Sequence, residues 1–211
     1  YLKRKGKITS KIATIMTDFA PHDQWLVGSD YTDYFFVAHY KMKQYLMSKN
    51  IDEEKIFDTG IPISNRFLLN FNSEEILKDL NFEKDKKTIL FFGVGEFSLG
   101  KNEKMKNAFT KIVEENHREN NIRILEFTNK VPEFMSISDL VVTKPGGLTT
   151  SESLASSLPM VIINPIPGQE EENAEFLEEN GIAIWVKKND NPYEKLKNLF
   201  TDSSVLENMK E

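Results

Sequence analysis

Between Val141 and Asn173 the chain reads VVTKPGGLTTSESLASSLPMVIINPIPGQEEEN, and this segment leaves few folds open. Two runs that are apolar at every position flank a stretch of helix length that begins after Pro145-Gly146-Gly147. A strand without a polar face has to be buried on both sides, which a parallel sheet covered by helices provides and a half-solvated antiparallel sheet does not. The same alternation predicts strands at 89–94, 122–127, 139–143, 159–163 and 182–186. Helices are expected between and after them, at 103–115, 131–138, 149–157, 169–179 and 193–200. Earlier in the chain, strands at 12–16, 34–38 and 56–59 accompany a Lys-rich helix at 41–49. A further helix at 73–80 has Ser73 to cap it, with Glu74 and Glu75 suited to its positive end. The charged connector EKDKK then precedes TILFFGV, so a domain boundary falls between Pro62 and Lys87.

Ligands of open parallel sheets sit at the carboxyl ends of the strands, so the motifs at 93–101, 127–129, 144–152 and 165–173 converge on one crevice. Gly146 and Gly147 expose backbone N–H groups at a helix start, which suits phosphate oxygens. Glu152, Gln169, Glu170 and Asn173 instead suit hydroxyl groups, since each offers hydrogen-bonding side-chain oxygen or amide nitrogen. Three successive carboxylates, Glu170 to Glu172, would repel a diphosphate, which therefore belongs at the Pro-Gly-Gly turn. Thr149-x-x-Glu152 also has the spacing of a capping box, so Glu152 stands between a structural role and a ribose contact. Gly93, Gly95 and Gly100 with Lys101 approach a P-loop, but Asn102 occupies the place of the Mg²⁺-binding Ser or Thr. A glycine-rich turn that admits ligand, or one that is merely tight, accounts for them better. In TDFAPHDQW, Asp18, His22 and Asp23 follow a strand, and a polar loop lining the cleft fits them better than a metal site. His39 and His117 carry no pattern and read as structural or surface residues.

The net charge of −6 and the 28% of charged residues disfavour nucleic acid as a partner, and no apolar run reaches the roughly 18 residues of a membrane span. The opening YLKRKGKITSK gathers Lys3, Arg4, Lys5, Lys7 and Lys11, a basic surface loop or a contact for anionic lipid head groups. Without cysteine the chain has no disulfide, thiolate metal site or cysteine nucleophile, which fits a cytoplasmic protein. It opens without Met and without a signal peptide of the usual form, so it is expected to start inside a longer chain.

TDFAPHDQW, DYFFVAHYKMKQYLMSKNIDEEKIFDTGIPISNRF, FTNKVPEFMSISDLVVTKPGGLTTSESLASSLPMVIINPIPGQEEENAEFL and ENGIAI together resemble the monogalactosyldiacylglycerol synthase and processive diacylglycerol glucosyltransferase group. That group lies in glycosyltransferase family 28, alongside the peptidoglycan lipid-linked N-acetylglucosaminyltransferase. The resemblance covers most of the chain and is specific over its second half. It implies an α/β protein of GT-B fold, with two Rossmann-like domains built on parallel sheets and the N-terminal one only partly represented. Residues 1–65 would close the acceptor-side domain, 66–190 would form the UDP-sugar domain, and 191–211 would be a helical segment packing back toward the first.

The activity so implied is inverting, metal-independent transfer of a hexose from UDP-glucose or UDP-galactose to diacylglycerol or another lipid acceptor. It would need no cofactor and would take place at the anionic inner face of the cell membrane. Lipid-linked N-acetylglucosaminyl transfer, a donor-binding module served by a separate acceptor subunit, and a UDP-sugar epimerase are the alternatives. Position by position, the resemblance puts Phe127, Thr128 and Asn129 beside uracil, and Gly146, Gly147, Thr149 and Thr150 beside the diphosphate. Glu152 would hold the ribose, Gln169, Glu170 and Asn173 would meet the hexose, and the turn at Gly93 and Gly95 would border the donor. Two departures stand out. The family's glycine-rich loop with an acceptor-activating histidine has no counterpart, which leaves the general base outside the chain and His22 as a cleft-lining candidate only. A strand and helix usual between the positions of Glu96 and Ile122 are also replaced by one helix.

Overall fold

In a computed structural model, which describes residues 1–93, 103–125, 127–201 and 203–210, the chain builds two parallel sheets in sequence order. The first contains β1 (Ala13–Ile15), β2 (Tyr34–Val37) and β3 (Ile56–Asp58), with α1 (Tyr40–Ser48) crossing from β2 to β3. Thr14 pairs with Phe35 and Phe35 with Ile56. Because side chains alternate along a strand, Phe35 and Val37 turn to one face, where they are buried with Ile56 of β3 and Met42 and Leu46 of α1. The opposite face carries Ile15, Tyr34 and Phe57, all exposed.

After α2 (Ser73–Asp79) comes the second sheet, β4 (Ile89–Phe91), β5 (Leu140–Thr143), β6 (Met160–Ile163) and β7 (Ala183–Val186), in that order. Its helices are α3 (Glu103–Glu115), α4 (Val131–Ile137), α5 (Gly147–Ala155), α6 (Gln169–Glu179), α7 (Pro192–Thr201) and α8 (Ser203–Asn208). Both faces of this sheet are covered, as its uninterrupted apolar strands require. Val141, Met160 and Ile162 pack with Met135 of α4 and with Ala174 and Leu177 of α6. Leu140, Val142 and Val161 pack on the other side with Leu199 of α7 and Leu206 of α8. Each such aliphatic side chain contributes about 1.5–3 kcal/mol by leaving water.

Three expectations change. The segment expected to pack back toward the first unit instead buries Leu199 and Leu206 against the second sheet, whose apolar outer face offers the area that covers them. The strand at 122–127 does not form over its described residues 122–125. There Arg123 donates to the carbonyls of Glu119 and Ile122 at 2.5 and 3.0 Å, which removes an acceptor that a strand ladder would have used. Asn72, not Ser73, caps α2, since its backbone is still extended and its side chain accepts from the Glu75 N–H. Gly95, Glu96, Gly100, Lys101 and Asn102 lie outside the described residues.

Candidate functional site

At the carboxyl end of β5 the chain passes through Lys144 and Pro145 to Gly146, whose extended backbone (φ −72°, ψ 139°) makes it the N-cap of α5. The helix closes with Thr150 N–H donating to the Gly146 carbonyl at 2.9 Å, and no side chain caps it. This overturns the capping-box reading: Thr149 is already inside the first turn, so its hydroxyl is not placed to cap. Glu152 is therefore released from that role. Its carboxyl is half-buried, has no hydrogen-bond partner among the described residues, and is held above the usual carboxylate range by burial alone. Thr150 is fully buried, and its hydroxyl has no hydrogen-bond partner among the described residues. A side chain so enclosed does not border a diphosphate, and the expectation for Thr150 is corrected accordingly.

Gly147 is buried for a different reason. A Cβ there would lie 1.7 Å from the carbonyl oxygen of Thr17, in the loop that follows β1. The first unit thus docks directly on the start of α5, and only a residue without a side chain admits that approach.

The start of α6 meets the same loop. Gly168 enters it at φ +95°, a conformation glycine tolerates, and its N–H donates to the Glu171 carboxylate at 3.3 Å. Glu170 accepts from the Ile166 N–H at 2.6 Å and lies 3.8 Å from the Lys144 ammonium. Gln169 donates its amide to one carboxylate oxygen of Asp18. Asn173, on the next turn, is fully buried. Its Oδ1 accepts from the N–H groups of Phe19 and Ala20, both at 2.9 Å. Its Nδ2 donates to the other Asp18 oxygen at 3.1 Å and to the Pro145 carbonyl at 3.0 Å. An asparagine amide has two donors and two acceptor sites. All four are spent within the protein, so Asn173 as placed here offers a hexose nothing.

Beside this network three rings stack across the same junction. His39 lies 4.4 Å from Phe176 of α6 at an interplanar angle of 11°, and Phe19 lies 5.7 Å from Phe176. The His39 Nε2 is 2.7 Å from the Phe19 carbonyl oxygen. Burial holds the His39 pKa below its ordinary value, assisted by the Lys41 charge and opposed by the bond to Phe19. Burial also raises the Asp18 pKa, against the lowering effect of the Asn173 bond and with a further push from the Glu170 charge.

The remaining predicted residues are placed apart. Phe127 is 90% exposed, Thr128 accepts from the Lys130 N–H at 3.0 Å, and the Asn129 carbonyl accepts from Arg66 at 2.8 Å. Arg66 also reaches Glu133 of α4 at 2.6 Å, so residues 127–129 are fixed at the start of α4. Gly93 is half-buried just past β4. The metal reading of the 18–23 loop is not supported by its geometry, because the three side chains diverge. Asp18 goes to α6, Asp23 bonds to Tyr45 and Lys49, and His22 accepts from the Gln24 N–H at 3.2 Å as the cap of a short turn. What the sequence reading missed is the seam itself. Asp18 stands out in the sequence by its position after a strand, whereas Lys144, Phe176 and His39 carry no pattern that marks them.

Residues 76–210 match the model of the glycosyltransferase family 28 C-terminal domain, and residues 1–63 match that of monogalactosyldiacylglycerol (MGDG) synthase. The processive diacylglycerol beta-glucosyltransferase of Staphylococcus aureus (strain Newman) is 34% identical across 93% of this chain. The chain spans 54% of that relative's length. Among solved structures, MurG of Acinetobacter baumannii matches with a TM-score of 0.58 at 17% identity, over 96% of this chain and 61% of that one. A putative UDP-N-acetylglucosamine 2-epimerase from Listeria monocytogenes matches with a TM-score of 0.67 at 15% identity, over 99% and 64%. At such identities these two likenesses speak to the fold, which is of the GT-B type.

Proposed function

The chain belongs to glycosyltransferase family 28, and from that premise we propose that it carries the donor side of an inverting hexosyltransferase acting on a UDP-sugar. The acceptor in this reading is diacylglycerol, presented at an anionic membrane surface on the cytoplasmic side. UDP-glucose is the preferred donor, in keeping with the 34% identity to a protein named as a diacylglycerol glucosyltransferase. One observation carries the proposal: a strand, a Pro-Gly-Gly turn and a helix start free of side-chain caps, followed one and a half turns later by a carboxylate that has no hydrogen-bond partner among the described residues.

The chemistry follows from that arrangement. A departing UDP develops negative charge on its diphosphate, which the uncapped start of α5 at Gly146, Gly147 and Thr149 stabilises through backbone dipoles. No metal is required for that step. Glu152 accepts hydrogen bonds from the ribose, whose neutral hydroxyls compensate its desolvated carboxylate. The hexose meets the Gln169 carbonyl oxygen and Glu170 at the start of α6, and the exposed Phe127 ring with Thr128 and Asn129 receives the uracil. Arg4, Lys5 and Lys7, beside the exposed Tyr1 and Leu2, supply the anionic-surface contact, while Lys3 is held by the Asp33 carboxylate. Among the described residues no helix is long and apolar enough to cross a membrane.

Calorimetric titration of UDP, UDP-glucose and UDP-galactose into the wild type and Glu152→Gln tests the donor site. Losing a charged hydrogen-bond acceptor costs about 1.5–3 kcal/mol, so the variant should bind UDP roughly tenfold or more weakly. Equal UDP affinity of the two proteins would remove Glu152 from the site, and absence of UDP binding by the wild type would end the reading.

A further inference from the structure

We infer that Asn173 is a positioning residue for the donor site, one that ties the Pro145-Gly146-Gly147 turn to the Asp18–Ala20 loop and thereby sets the width of the crevice between the two units. The inference rests on the donor reading above and reassigns a residue that the sequence pattern had given to the hexose.

Three separate pieces of chain meet at this one side chain: α6 itself, the turn before α5, and the loop after β1. Asn173 joins them with four hydrogen bonds of 2.9 to 3.1 Å while fully buried. Its demands are chemical and not only steric. Two acceptor sites face two backbone N–H groups, and two donors face a carboxylate and a carbonyl, which only a primary amide of this length satisfies at once. Aspartate keeps the acceptors but turns an oxygen toward both Asp18 and Pro145. Leucine, of similar size, strands the Phe19 and Ala20 N–H groups out of water.

The surrounding contacts serve the same junction. Gln169 holds the second Asp18 oxygen, Gly147 accepts the Thr17 carbonyl at closest approach, and His39 stacks on Phe176. The bond from Asn173 to Pro145 lies one residue before Gly146, where the α5 terminus begins. Loss of the clamp therefore moves the turn that receives the diphosphate, whichever sugar is attached.

That last point separates positioning from direct contact, because UDP has no hexose. Titrations of UDP and of UDP-glucose should show Asn173→Asp weakening both by the same factor, about tenfold or more. Adding Asp18→Asn puts an amide donor opposite the new carboxylate, and part of the lost UDP affinity should return. Asp18→Ala, which removes one arm of the clamp, should weaken both ligands equally but less, and it carries the test if Asn173→Asp does not fold. Weakening of UDP-glucose alone would make Asn173 a sugar contact and overturn the inference, as would a double variant no better than Asn173→Asp. A wild type that binds neither ligand would instead sink the donor reading, and the inference with it.

Discussion

Gly146 and Gly147 are neighbours in the chain but opposite in circumstance, and alanine at each makes a matched pair. At Gly146 an added Cβ meets nothing within 4 Å, whereas at Gly147 it meets the Thr17 oxygen at 1.7 Å, half of an ordinary 3.4 Å contact. The obstacle is backbone, so no rotamer change relieves it and the 17–20 loop has to lift away from α5. Lifting it breaks the bonds from Phe19 and Ala20 to Asn173, each about 1–3 kcal/mol where a buried group is left unpaired. Against that, alanine inside a helix gains about 1 kcal/mol over glycine. The net expectation for Gly147→Ala is a loss of about 1–5 kcal/mol, which overlaps the range of overpacked cores. Gly146→Ala should change stability by less than about 1 kcal/mol, the scale of an N-cap substitution. Urea unfolding followed by tryptophan fluorescence reads both units, because Trp25 packs with the first core and Trp185 with the second. In Gly147→Ala the Trp25 transition should move to lower urea ahead of that of Trp185. Unfolding free energies that agree for the two variants within about 0.5 kcal/mol would refute the reasoning.

Thr150→Val replaces a buried hydroxyl that has no partner among the described residues with a methyl of the same shape, so it should stabilise the fold by about 1 kcal/mol. UDP affinity should be unchanged, and weaker UDP binding by titration would return Thr150 to the diphosphate. His39 gives a pH dependence. Its folded pKa lies below the ordinary 6.5, so the unfolded chain takes up the proton first. Stability is therefore complete above about 6.5 and falls as pH drops through the lower folded value. Asp18 works oppositely in a lower window, because its raised pKa makes ionisation above 3.8 cost stability. Thermal melts from about pH 7.5 to 5.5 should slope less in His39→Gln than in the wild type, and identical slopes would rule out His39 as the source.

The helices most easily read were those whose ends carry chemistry. Residues 169–179 fold as expected because Gly168 permits the turn and three carboxylates favour the terminus that follows. The strands of the second sheet were equally plain, since residues apolar on both faces have no other use. The junction between the units was not legible. An asparagine near a helix start looks the same whether it meets a sugar hydroxyl or a backbone N–H, and its partners Asp18, Phe19 and Ala20 are 153 to 155 residues away. The resemblance pointed the C-terminal segment toward the first unit, whereas Leu199 and Leu206 pack on the second sheet. Residues 122–125 failed as a strand because alternation alone specifies no neighbour, and the Arg123 side chain competed for the carbonyls.

The long reach of the Asp18, Phe19 and Ala20 contacts also has a kinetic meaning. Each sheet assembles from strands adjacent in sequence, so both units can form before their junction does, and ends so far apart close a loop only late. The crevice is then the last part of the chain to be completed and the first to open. Proton exchange at the Phe19 and Ala20 amides should outpace that of the β2 and β5 strands. A preparation warmed gently would accordingly lose its ability to bind ligand while both sheets were still intact.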